Sequence, residues 1–210
     1  MAPIHPHLTG NRGRLIRRSP DSRYEIRLAI MANFPCETIV NATNTFMVLN
    51  TSARRGAEFR IVDGAGEKLP HYLYNLRPGG LRIGDAVTSP SFKLPNCYHV
   101  IHTNGPDYNH KFYGSRALRK QQLADCYRRC LEEAFENKTH SIAFPCISTG
   151  PSLKWPRESA ARVGVMTVRA WFRHPIHGQR RRERIKRVYF LADPLGPNSR
   201  QERAWVAAFK

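Results

Sequence analysis

The chain has 210 residues, 41% of them apolar, which suits one α/β domain with a sizeable core. Its formal net charge of +18, with a pI of about 10.4, attracts polyanions and phosphorylated ligands without saying which one. The sequence has no signal-peptide stretch and no run long enough to span a membrane. Its five cysteines form no Cys-x-x-Cys pair, so the expectation is an intracellular monomer in a reducing compartment, with no disulfide framework, metal set or cofactor.

Residues 1–22 are rich in Pro, His, Gly and Arg, lack periodicity, and read as a mobile basic extension ahead of one domain over 23–210. YEIRLAIM and ETIVNAT follow, the second an apolar β-branched run with Ile39 and Val40 where a buried strand would put them. Residues 51–76 are broken by glycines and Pro70 and read as a loop with one or two short helices; RPGG at 77–80 is a turn. CYHVIHT at 97–103 is a strand.

From about Arg116 to Asn137 the spacing predicts an amphipathic helix. Leu123, Tyr127, Leu131 and Ala134 lie on one face, and Lys120, Arg128, Arg129 and Glu133 on the other. Cys126 and Cys130 share a face of this helix, but no cluster completes a metal site. SIAFPCI at 141–147 is a strand buried on both faces. Pro156 opens a second helix that runs to about Phe172. HPIHGQRRRERIK at 174–186 reads as a basic loop, RVYFLA at 187–192 as a last strand, and Gln201 to Phe209 as a closing helix. Alternating strands and helices argue for a layered α/β fold.

Two strand ends carry candidate chemistry, because ligands of α/β sheets bind beyond the carboxyl ends of strands. At Asn41-Ala42-Thr43-Asn44, small residues admit a ligand and Asn44 offers an amide able to grip a diol; the two asparagines could equally tie down their own loop. At Ser148-Thr149-Gly150-Pro151-Ser152, main-chain N–H groups and the following helix N-terminus suit an anion, although an ordinary capped βα loop has the same look. His102 reads as a structural strand-end histidine. No Gly-x-Ser-x-Gly elbow is present.

ETIVNATN, GDA at 84–86, LPNCYHVIHTNGP at 94–106, SIAFPCISTG at 141–150, WPRESAARV at 155–163 and RVYFLAD at 187–193 together resemble the macrodomain family over roughly 24–209. The resemblance implies a three-layer α/β/α sandwich with a mixed, mostly parallel sheet of about six strands. It also implies a ligand such as ADP-ribose, free, protein-linked or polymeric; separately, the basic surface offers poly-ADP-ribose or RNA as a partner. Asn44 matches the family asparagine that holds the distal ribose and helps position water in hydrolytic members. Asn41 matches its loop-ordering partner, and Ser148, Thr149 and Gly150 match the loop around the diphosphate.

Several positions depart from the family pattern. Ile30, with Met31 beside it, stands where relatives carry an aspartate that accepts from the adenine amino group, which Ile cannot do. The glycine run is replaced by Asn50 to Gly56, so Arg54 and Arg55, beside Gly56 and Ala57, either meet phosphate with side chains or are two solvated arginines on a loop. Glu58 is the nearest match to a hydrolytic aspartate, one methylene longer. The lid aromatic is missing; Pro151, Ser152 and Leu153 intervene, and Trp155 is either a replacement lid or a core residue. The expected ligand-lining set is thus Ile30, Met31, Asn41, Ala42, Asn44, Arg55, Gly56, Ala57, 148–152 and Trp155. Asn44 and Glu58 are the candidate catalytic groups for an ADP-ribosyl hydrolase, the alternative to a binding module; a further alternative is a nucleic-acid-binding macrodomain whose basic extension and 174–187 cluster grip phosphates.

Overall fold

The structure is a computed structural model that describes residues 8–48, 56–109, 114–195 and 199–210. In chain order the elements are β1 (Arg14–Arg18), β2 (Tyr24–Leu28), β3 (Thr38–Thr43), α1 (Ala57–Ala65), α2 (Lys68–Leu76), β4 (Ala86–Pro90) and β5 (His99–Asn104). They continue with α3 (Arg116–Glu136), β6 (Ser141–Phe144), α4 (Arg157–Phe172), α5 (Gly178–Arg184), β7 (Arg187–Ala192) and α6 (Ser199–Ala208). The sheet has seven strands in the order β1-β2-β7-β6-β3-β5-β4. The inner pairs β2/β7, β7/β6, β6/β3 and β3/β5 are parallel, and the two edges are antiparallel.

Side chains alternate across each strand, so every inner strand feeds both layers. Val40, Ile101, Ile142, Val188 and Phe190 pack under α3, α4 and α6, against Leu123, Tyr127, Val168 and Trp205. Ile39, Val100, Ala143 and Leu191 pack on the other face under α1 and α2, against Ile61, Val62, Leu69 and Leu73. Burying each of the larger side chains contributes about 1.5–3 kcal/mol, which explains why continuous apolar runs mark these strands. Gly164 lets α4 approach α3, because a Cβ there would lie 2.6 Å from the Tyr127 ring.

The α3 expectation holds. Ser115 caps it by accepting from the Leu118 N–H at 3.2 Å, and Arg128 pairs with Asp125 and Glu132 on the outer face. All five cysteines are buried and unpaired. Burial pushes the thiols of Cys36, Cys97, Cys126 and Cys146 up to about 12, and that of Cys130 well above its usual value.

Three expectations are corrected. Residues 14–18, read as part of a mobile extension, form edge strand β1. They are held by main-chain pairing to β2 and by the Arg18 guanidinium on the buried Glu25 carboxylate at 2.9 Å. The sheet therefore has seven strands rather than about six. The 174–186 stretch, read as a loop, contains helix α5, which has no apolar stripe to betray it.

Candidate functional site

β3 and β6 are parallel neighbours, with Thr38 opposite Ile142 and Ile39 opposite Ala143. Their carboxyl ends leave the same edge of the sheet, so the Asn44 and Ser148 loops rise side by side as the sequence implied.

Asn44 closes its own loop. Its Oδ1 accepts from the N–H groups of Phe46 at 3.1 Å and Val48 at 3.4 Å, and its Nδ2 donates to the Val48 carbonyl at 2.5 Å. Asn104, at the end of β5, anchors that loop by donating to Thr45 Oγ1 at 3.1 Å and the Leu81 carbonyl at 2.8 Å. Asn41 is a buried interior residue rather than a lining one. Its Nδ2 donates to His102 Nδ1 at 3.2 Å, and His102 Nε2 then meets Ser89 Oγ at 2.9 Å. Burial drives the His102 pKa down to about 3, so the ring is neutral, and its acceptance from Asn41 assigns the proton to Nε2. Ala42 packs on the α3–α4 face.

Glu58 sits in the first turn of α1. Thr43 Oγ1 donates to its Oε1 at 2.6 Å. Burial raises its carboxyl pKa, and the Thr43 hydrogen bond offsets only part of that. Gly56 is the N-cap of α1, its carbonyl accepting from the Arg60 N–H at 3.2 Å, and Ala57 opens the helix. Arg54 and Arg55 lie outside the described residues.

The second loop is built around strain. Ser148 has a φ of 65°, a left-handed conformation that costs a non-glycine residue about 1–3 kcal/mol and persists only where surroundings enforce it. Gly105, after β5, leaves the room this turn needs, because a Cβ there would stand 2.1 Å from Ser148 Oγ. The Ser148 hydroxyl is buried with no hydrogen-bond partner among the described residues. Thr149 Oγ1 donates to the Cys146 carbonyl at 2.7 Å, and the Lys154 N–H closes a turn onto the Gly150 carbonyl at 3.0 Å. The amides of Ser148, Thr149 and Gly150 donate to no acceptor among the described residues. Gly150, Pro151 and Ser152 are exposed.

Of the two readings of Trp155, lid or core residue, the structure has the core one, which removes it from the expected ligand-lining set. It is buried and donates through Nε1 to the Pro106 carbonyl at 2.9 Å, with the Tyr108 ring edge-on at 5.2 Å. It staples the second loop to the segment after β5 and is not a lid. Met31 is likewise a core side chain, while Ile30 stays half-buried at the end of β2.

The family model for the Macro domain matches residues 40–164. A Macro domain-containing protein of Mesorhizobium japonicum is 35% identical over 146 residues, 70% of this chain and 76% of that protein. The chain belongs to the Macro domain family. ADP-ribose glycohydrolase MACROD2 of Xenopus laevis is 36% identical over 154 residues, 73% of this chain but 33% of that protein. The Trypanosoma brucei macrodomain in complex with ADP-ribose superposes with a TM-score of 0.72 at 21% identity, covering 97% of this chain and 80% of that one, a likeness of fold.

Sequence reasoning missed one chain of side chains in this macrodomain. Ala29 N–H donates to the Ala192 carbonyl at 3.0 Å, which continues the β2/β7 register and sets Ala29, the neighbour of Ile30 in the chain, opposite Asp193 just after β7. Asp193 forms an ion pair with Arg60 of α1 and accepts from the Leu195 N–H at 2.9 Å. Its own N–H donates to Gln201 Oε1 at 3.3 Å, and Gln201 Nε2 donates to Thr149 Oγ1 at 3.2 Å. Arg60, Asp193 and Gln201 thus tie α1, β7 and α6 to the second loop. The available signal was Asp193 itself, a carboxylate directly after an apolar strand.

Proposed function

We propose that this macrodomain binds ADP-ribose, free or attached to protein, with the diphosphate on the amides of Ser148, Thr149 and Gly150 and the distal ribose toward Asn44. The observation that carries the reading is the strained Ser148 turn, whose uncommitted amides stand at the same sheet edge as the Asn44 loop. Family membership supports it, as does the complex of the T. brucei macrodomain with ADP-ribose. With Ile30 at the base end there is no carboxylate to select the adenine amino group; the nearby Asp193 is committed to Arg60. Calorimetry with ADP-ribose, ADP and AMP tests this. ADP-ribose is expected to bind more tightly than ADP, and ADP more tightly than AMP; equal affinities would defeat the reading.

Hydrolysis of protein-linked ADP-ribose is the second reading, favoured by the half-buried Glu58 carboxyl held by Thr43 beside Asn44. MACROD2, named as a glycohydrolase, supports it. A turnover assay on an ADP-ribosylated peptide separates reader from hydrolase. Poly-ADP-ribose or RNA is the polymeric partner that the net charge of +18 adds to the proposal. The five unpaired cysteines fit a reducing compartment.

A further inference from the structure

The amino ends of β2, β6 and β7 lie at the sheet edge opposite the Asn44 and Ser148 loops, because these strands run parallel. α5 is seated there. Just after it, the Lys186 and Arg187 N–H groups donate to the His140 carbonyl at 2.8 and 3.1 Å. From Arg169 to Arg187 the chain carries eight Lys and Arg against one Glu. Among the described residues, only Arg187 of those eight comes within 4.0 Å of a carboxylate, the buried Glu25 at 3.8 Å.

The arginines are instead held by rings and carbonyls. Arg180 lies 5.2 Å over Phe135, Arg181 4.2 Å over Trp171, Arg169 5.1 Å over Phe209, and Arg23, from the start of β2, 5.4 Å over Phe172. Arg181 donates to the Trp171 carbonyl at 2.9 Å and Arg182 to that of Phe172 at 2.5 Å, which caps α4. Rings and carbonyls orient a guanidinium without neutralising it, and each has five N–H donors, so much of its capacity remains. The carboxylates nearby are few or engaged. Glu183 accepts from Gln179, Glu132 pairs with Arg128 and Arg129, and Asp21 faces Arg23; Glu132 and Glu136 line one pocket with Arg180 and Arg181, at more than 4.0 Å from either guanidinium. An ordinary solvated charge run would have neither the ordering nor the shortage of counter-charge.

We infer that this face binds the phosphodiester backbone of a single-stranded nucleic acid, at a site separate from the nucleotide groove. Beside the cations, the exposed His174 and His177 rings stack at 4.8 Å and Ile176 is 78% exposed, so flat and apolar surfaces meet unpaired bases next to the phosphate track. The inference does not depend on ADP-ribose binding.

The test uses the full chain and a labelled single-stranded RNA of about 20 nucleotides, read by fluorescence anisotropy across a salt series. The variant Arg173→Ala/Arg184→Ala/Lys186→Ala removes cations that make no side-chain hydrogen bond among the described residues. Its affinity for the RNA is expected to fall about tenfold or more, and its log-log salt slope to shrink by about 2. ADP-ribose titrated into the wild-type complex is expected to leave the RNA bound. Displacement by ADP-ribose, wild-type affinity in the triple variant, or capture of poly-ADP-ribose with no binding of the RNA would each overturn the inference. If the variant melts early, the wild-type salt slope and the ADP-ribose competition decide between these outcomes.

Discussion

The two ends of the sheet present groups able to meet anions in opposite ways. At the carboxyl ends, small residues, a strained Ser148 and a glycine that tolerates no Cβ hold main-chain amides in one shape. At the amino ends, long cationic side chains are ordered by rings and helix carbonyls. Amides placed by backbone geometry read the shape of a compact ligand, whereas guanidiniums on the surface read charge density. The first device fails when an atom is added, and the second only when charge is removed.

The sharpest test of the carboxyl end is Glu58→Gln. If this macrodomain hydrolyses its ligand, turnover should fall about 10²–10⁴-fold while ADP-ribose affinity in calorimetry stays put. Burial raises the Glu58 carboxyl, so the acid limb of the wild-type rate should lie at higher pH than for an ordinary glutamate and vanish in the variant. A wild-type protein with no turnover would leave the carboxyl end as a reader alone.

Next in size is Gly105→Ala, which forces a Cβ against Ser148 Oγ. It should weaken ADP-ribose binding about 100-fold by displacing the loop, cost roughly 1–3 kcal/mol of stability, and leave RNA binding untouched. A loss of both activities together would break the separation of the two ends. Asn44→Ala should cost about tenfold in affinity and about 1 kcal/mol in a urea melt, because the amide ties its own loop and, on the proposed reading, meets the ligand.

A smaller effect is expected from the buried histidine. His102 is neutral when folded, with a pKa of about 3, against 6.5 when free. The unfolded chain therefore takes the proton first, and stability should decline as pH falls from 6.5 toward 3. His102→Gln should melt with a flatter acid dependence than wild type; parallel curves would mean the ring does not titrate this way. The smallest effect concerns the base. With Ile30 unable to accept a hydrogen bond, an inosine analogue of ADP-ribose should bind within about threefold of the parent.

The inner strands were legible because burial on both faces writes an unbroken apolar run, as in SIAF and RVYFLA. α3 was legible because its apolar residues recur at helical spacing. β1 and α5 were hidden for the same physical reason. Arg14–Arg18 and Gly178–Arg184 bury almost nothing, and are held by main-chain pairing, ion pairs and cation–ring contacts that leave no periodicity. At the site, the motif placed Asn44 and Ser148 at one edge, but only coordinates could turn Asn41 inward and decide between lid and core for Trp155. Arg60 and Asp193 meet across 133 residues of chain, a distance at which local pattern says nothing.

The interior thiols divide between the two layers. Cys36 and Cys97 lie beneath the α1–α2 side, and Cys126, Cys130 and Cys146 beneath α3 and α4. An alkylating reagent can reach each sulfur only when the layer above it opens, and the raised thiol pKa values slow reaction further. Mass mapping of labelled peptides over time would therefore serve as a pair of built-in stopwatches. One would record the breathing of each side of the sheet, and a bound ligand should slow whichever side it clamps.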